Sequence, residues 1–176
     1  MQSNKWGNNA WEFLHTITFN YPRDPTYYDK IRYRVFFENL REILPCSICR
    51  KSFCLFYDYI PIDDYLEDRH GVVYWLYSIH NIVNLKLNNE LFPLKEVIIK
   101  YENNRARCGN IDTKDDKKLK QCQKPLIWNE DMELFLKNAI DKYRDITLKK
   151  VYKLIKENGD RQEIINIKNS LKKYLF

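Results

Sequence analysis

Pro45-Cys46-Ser47-Ile48-Cys49 sets two thiols three residues apart, immediately after a proline. Proline suits the start of a helix, where its missing N–H leaves no bond unmade. Both sulfurs then lie within one turn of the helix N-terminus, whose positive dipole end favours thiolates. Such a pair serves redox chemistry or a metal, and residues elsewhere in the chain must decide between them. The five cysteines, Cys46, Cys49, Cys54, Cys108 and Cys122, are too few and too unevenly spaced for a disulfide-rich secreted scaffold, and at least one is unpaired.

Apolar residues recur at helical spacing along most of the chain, and only 4 Gly and 6 Pro punctuate 176 residues, so the expected class is all-α. Trp6, Ala10, Phe13, Leu14 and Ile17 predict a first helix over roughly 5 to 20. Tyr28, Ile31, Val35, Phe36, Leu40 and Ile43 predict a second, ended by Pro45, and a third begins near Cys46 with Cys49, Phe53 and Phe56 on one face. Ile60 to Asp64 reads as a loop. Val72, Val73, Trp75, Leu76, Ile79, Val83 and Leu87 predict a fourth helix over about 65 to 87, and Pro93 opens a short fifth one ending near Tyr101. A polar loop or hairpin with Cys108 and Cys122 follows. Three further helical patterns, Trp128 to Tyr143, Ile146 to Lys156 and Glu163 to Tyr174, form a C-terminal extension.

The net charge of +6 is concentrated late in the chain. Residues 1 to 100 carry 12 Lys+Arg and 12 Asp+Glu, whereas the remaining 76 carry 18 and 12. A solvated helical face is the commoner explanation of such an excess, so nucleic acid is not the expected partner. The N-terminus has no apolar signal core and no run approaches the ~18 apolar residues of a membrane helix, so a soluble chain without a membrane partner is expected.

Gly7, Trp11 and His15 share one face of the first helix, and His80 and Asn84 share one face of the fourth, with Asn81 and Lys86 beside them. Core packing with satisfied histidines accounts for either stripe. So does a wall for a flat ligand, with rings to stack, amides to hydrogen-bond and a cation for phosphate. For Cys46 and Cys49, zinc needs further ligands, which Cys54 with His70 or His80 would have to supply. A thioredoxin-like site needs a preceding strand that the sequence lacks. A purely structural pair and a redox pair inside a helical bundle remain open beside these.

Taken in order, Gly7-x3-Trp11-x2-Leu14-His15-Thr16, Tyr21-Pro22, Pro45-Cys46-x2-Cys49 and Trp75-x4-His80-Asn81-x-Val83-Asn84-x-Lys86-Leu87 resemble the Erv/ALR family of FAD-linked sulfhydryl oxidases, over residues 5 to about 102. The resemblance implies a four-helix bundle with a short fifth helix that binds FAD, followed by the helical extension. The domain it implies is placed at residues 1–102; the residues beyond lie outside the resemblance, and their own pattern gives a polar loop over 103–125 and an extension of unknown role over 126–176. Cys46 and Cys49 are then the catalytic disulfide, Cys49 next to the flavin and Cys46 exchanging with substrate. Gly7, Trp11, His15, His80, Asn81, Val83, Asn84, Lys86 and Tyr101 line the FAD site, and no metal is expected. The implied activity oxidises protein thiols to disulfides and passes electrons to oxygen, giving hydrogen peroxide, in a homodimer.

Two departures stand out. Asn88-Asn89 and Pro93-Leu94 occupy places where many relatives carry Gly-Lys and a cysteine, so the disulfide that tethers the fifth helix is expected to be missing. The short core is more similar to the oxidases of large DNA viruses than to the mitochondrial branch. That implies the cytoplasm of an infected cell or the virion, with the mitochondrial intermembrane space as the other location. Cys108 and Cys122 are expected to form a structural clip, the alternatives being a shuttle pair or free thiols. The rival reading is a zinc-stabilised helical binding module whose basic extension meets nucleic acid or protein.

Overall fold

The computed structural model describes residues 2–104 and 128–174, and every regular element among them is helical. Helix α1 spans Ser3–Phe19, α2 Tyr27–Ile43, α3 Ser47–Tyr59, α4 Arg69–Leu87 and α5 Leu94–Asn103. Beyond them, α6 spans Glu130–Asn158 and α7 Gln162–Tyr174. Cys108 and Cys122, expected as clip or shuttle, lie outside the described residues. None of the described helices is long and apolar enough to cross a membrane.

Side chains set most of the helix starts. Thr26 and Asp29 form a reciprocal capping box that opens α2. Asp68 accepts from the Gly71 N–H at 2.8 Å to open α4, and Asn129 accepts from the Met132 N–H at 3.0 Å to open α6. At its far end α4 turns into Asn88 at φ 59°, the left-handed conformation that asparagine tolerates as a helix stop.

Two expectations give way here. Ile62–Tyr65, read as loop and helix start, form a 3-10 turn with Ile62 and Tyr65 fully buried, and α4 begins only at Arg69 because the Asp68 side chain caps it there. The patterns ending at Tyr143 and starting at Ile146 are one continuous helix of 29 residues. Tyr143, Thr147, Val151 and Leu154 continue the buried stripe across the supposed gap, where no Gly or Pro interrupts the backbone.

The core is built around α4, which is apolar on nearly every side and packs against α1, α6 and α7. Trp75 is fully buried, with its ring edge-on to Phe37 at 4.9 Å and its Nε1 donating to the Ile60 carbonyl at 2.8 Å. Met132, Ala139, Tyr143, Leu154, Ile164 and Ile167 from α6 and α7 are buried in this same core. A helix hydrophobic all round needs partners all round, and α6 and α7 supply those that the first five helices do not.

Candidate functional site

The two cysteines predicted to work together are bonded to each other, with Cα atoms 5.1 Å apart. Pro45 drives Leu44 out of the helical region and ends α2, which leaves Cys46 extended as the N-cap of α3. The Cys46 sulfur accepts from the Cys49 N–H at 3.2 Å. Arg50 folds back along the same turn, its guanidinium donating to the Leu44 carbonyl at 2.5 Å. Ser47 and Ile48 between the half-cystines are exposed, so an incoming thiolate has access to the bridge. Any thiolate released there sits at the positive end of α3.

A ring cluster gathers α1, α4 and α5. Trp11 stacks on His80 with centroids 4.0 Å apart and planes 8° from parallel, while His15 stacks on Tyr101 at 5.0 Å. His15 Nε2 and His80 Nδ1 share a hydrogen bond of 3.0 Å. Burial pushes the His15 imidazole down to about 3, with the neighbouring His80 and Lys100 adding to it. Burial likewise pushes His80 down to about 4, helped by Lys100, so both rings are neutral at pH 7.

The next turns of α4 do something different. Asn81 holds the strand of chain after α4 in place: its amide donates to the Phe92 carbonyl and its oxygen accepts from the Phe92 N–H, both at 3.1 Å. Asn84 donates to that same Asn81 oxygen at 3.3 Å, and Val83 packs on the core. Lys86 reaches across to donate to the Ser52 hydroxyl on α3, one turn beyond Cys49. The predicted residues therefore divide into a ring wall (Trp11, His15, His80, Tyr101), an amide pair bracing residue 92, and a lysine on the disulfide's own helix. Gly7 lies one turn before Trp11, where an added Cβ would meet nothing within 4 Å.

These residues suit a flat, polar heteroaromatic group such as a flavin nucleotide. His15 Nδ1 is buried with no hydrogen-bond partner among the described residues, an unmet polar atom in a wall of neutral rings. The direct Trp11–His80 stack means that a planar ligand meets an outer face or edge of that pair. The set considered for zinc is scattered by comparison. Cys54 donates to the Arg41 carbonyl at 3.7 Å, His70 pairs with Asp68 and His80 lies under Trp11.

The model of the Erv1 / Alr family matches residues 8–102, more than half of the sequence. The chain belongs to the Erv1/Alr family. Among its relatives is a probable FAD-linked sulfhydryl oxidase of Acanthamoeba polyphaga mimivirus, 35% identical over 99 residues that span 56% of this chain and 69% of that protein. An FAD-linked sulfhydryl oxidase of African swine fever virus (isolate Pig/Kenya/KEN-50/1950) is 28% identical over 97 residues, 55% of this chain and 80% of that one. The crystal structure of the yeast Erv1 core superposes with a TM-score of 0.55 at 25% identity, covering 58% of this chain and 85% of that one.

Beside these Erv1/Alr motifs the sequence concealed several participants. Glu12 accepts from both Lys100 and the Tyr101 hydroxyl, tying α5 to α1 at the rim of the ring wall. Phe92 packs on His80 at 5.4 Å, and Ser52 receives Lys86. Only the one-turn spacing of Glu12 from His15, and of Ser52 from Cys49, hinted at them.

Proposed function

We propose that this chain is an FAD-dependent thiol oxidase that forms disulfide bonds in substrate proteins. The observation that carries the reading is the Cys46–Cys49 disulfide at the open start of α3, in a chain whose family relatives are FAD-linked sulfhydryl oxidases. A substrate thiolate attacks Cys46, the S–S bond breaks and Cys49 leaves as a thiolate stabilised by the α3 dipole. A second substrate thiolate then attacks the mixed disulfide, releasing oxidised substrate and the Cys46 thiol. Two substrate thiols have lost two electrons and two protons, and the pair of cysteines has gained them.

Bound FAD would supply the acceptor for that electron pair, with oxygen as its final acceptor and hydrogen peroxide as product. Trp11, His15, His80 and Tyr101 would hold its rings, with Gly7 leaving room for close approach. Asn81, Val83 and Asn84 would shape the wall and Lys86 would face its negative charge. Residues 1–102 form the catalytic unit, and the described part of the extension, residues 128–174, braces it. Exposed Phe13, Tyr28 and Val35 on α1 and α2 support a homodimer. The viral relatives support the cytoplasm of an infected cell or the virion as the place of action.

Purified full-length protein should be yellow, absorb near ~450 nm and consume oxygen with dithiothreitol. Cys49→Ala should abolish turnover while the flavin stays bound. Colourless protein carrying stoichiometric zinc would refute the oxidase reading, and turnover that survives Cys49→Ala would refute the role of the bridge.

A further inference from the structure

Near the disulfide, the end of α2, one face of α3 from Ser47 to Asp58 and the link between α6 and α7 enclose a groove of about 530 Å³. Ser47, which lies between the two half-cystines, forms part of its wall, although Cys46 and Cys49 themselves do not, so the groove begins one residue from the bridge. Four cations line it, Arg41, Arg50, Lys51 and Arg161, against two carboxylates, Glu42 and Asp58. Arg41 is held by Asp58 at 2.7 Å and Arg50 by the Leu44 carbonyl. Lys51 and Arg161 are exposed and make no ion pair among the described residues. The positive end of the α3 dipole adds to the same field.

We infer that this groove docks an acidic segment of the substrate protein next to the cysteines being oxidised, an inference that rests on the thiol-oxidase reading. Charge complementarity selects the occupant, because unneutralised cations in a concave site raise the local concentration of anionic partners. Position selects a protein over a nucleic acid, which shares the negative charge but brings no thiol to a bridge one residue from the groove's wall. Arg161 sharpens the point. It comes from outside the residues that match the Erv1/Alr family, so the extension completes a wall of a groove otherwise lined by the family-matching part of the chain.

The test uses flavin-loaded full-length protein and two dithiol peptides of equal length, one with glutamates and one with lysines around the cysteines. At low salt the acidic peptide should show a kcat/KM on the order of tenfold higher, chiefly through KM, and the advantage should shrink at about 0.3 M salt. Arg161→Glu should bring the ratio towards one and leave dithiothreitol oxidation unchanged. Fluorescence anisotropy with cysteine-to-serine versions of both peptides reads docking without turnover, and the acidic one should bind more tightly.

Equal use of both peptides, a preference that persists in Arg161→Glu, or tighter binding of a single-stranded oligonucleotide would overturn the assignment. Failure to oxidise dithiothreitol while the acidic serine peptide still binds would strike the oxidase reading alone. Oxidation of dithiothreitol without any charge preference would strike the groove alone.

Discussion

His15 and His80 show what burial does to a titrating pair that must stay neutral. Both pKa values lie below the ordinary 6.5, at about 3 and about 4. Between those values and 6.5 the unfolded chain binds protons that the folded chain refuses. Their contribution to stability is therefore complete above pH 6.5 and is lost as pH falls towards 4. At about 1.4 kcal/mol per pH unit, each histidine removes about 2 kcal/mol of stability by pH 5. Urea denaturation at pH 7 and pH 5 should show this loss, and equal stabilities would contradict the neutral pair. Gly71 is a second single-residue constraint of steric origin. An added Cβ would run into the Tyr65 carbonyl and lie 2.7 Å from the Tyr143 ring. Gly71→Ala should cost about 1–3 kcal/mol through overpacking, read from the same denaturation curves.

Asp68 joins two helices through one carboxylate. It caps α4 through the Gly71 N–H, and it also accepts from Lys142 at 2.8 Å and the Tyr143 hydroxyl at 3.2 Å on α6. Burial alone would raise this carboxyl, but hydrogen bonds from His70, Lys142 and the Gly71 amide outweigh it and hold the group well below the usual carboxylate range. Asp68→Asn keeps a good cap and loses the charge, whereas Asp68→Ala loses both. The alanine variant should lose about 1–2 kcal/mol from the cap alone and be the less stable of the two in thermal melts. Local elements of this kind were readable from sequence where signals were near in the chain. Pro45 marks the end of α2, and the four-residue steps from Gly7 to His15 and from His80 to Asn84 mark the ring and amide faces. What one face of α4 shares with α6 was not readable, because Asp68 and Lys142 are 74 residues apart. Asn81 reads as a ligand donor in sequence, although its amide is engaged by the backbone of Phe92, because the path of the chain between them carries no periodic signal. The break placed after Tyr143 reflects apolar spacing loosened at Arg144-Asp145, where solvent-facing residues carry no periodic signal.

Across the whole molecule, the later helices are part of the packing that holds the ring wall. α4 carries His80, Asn81 and Lys86 on some faces and rests on α6 and α7 with others, so a change in one support reaches the site through a rigid rod. Asn166 of α7 donates to the Lys86 carbonyl at 2.8 Å, satisfying one of the last-turn carbonyls of α4 at the residue that reaches towards Ser52. With one shared core, unfolding should be a single transition in which tertiary signal and bound flavin are lost together. Leu154, fully buried on α6, tests this away from every residue of the ring wall. Leu154→Ala should cost about 2–5 kcal/mol and lower the temperature of flavin release by the same amount as the near-ultraviolet melt. If flavin release stays at the wild-type temperature while part of the helical signal melts early, α6 and α7 form a separately folding unit and the bracing role assigned to them fails.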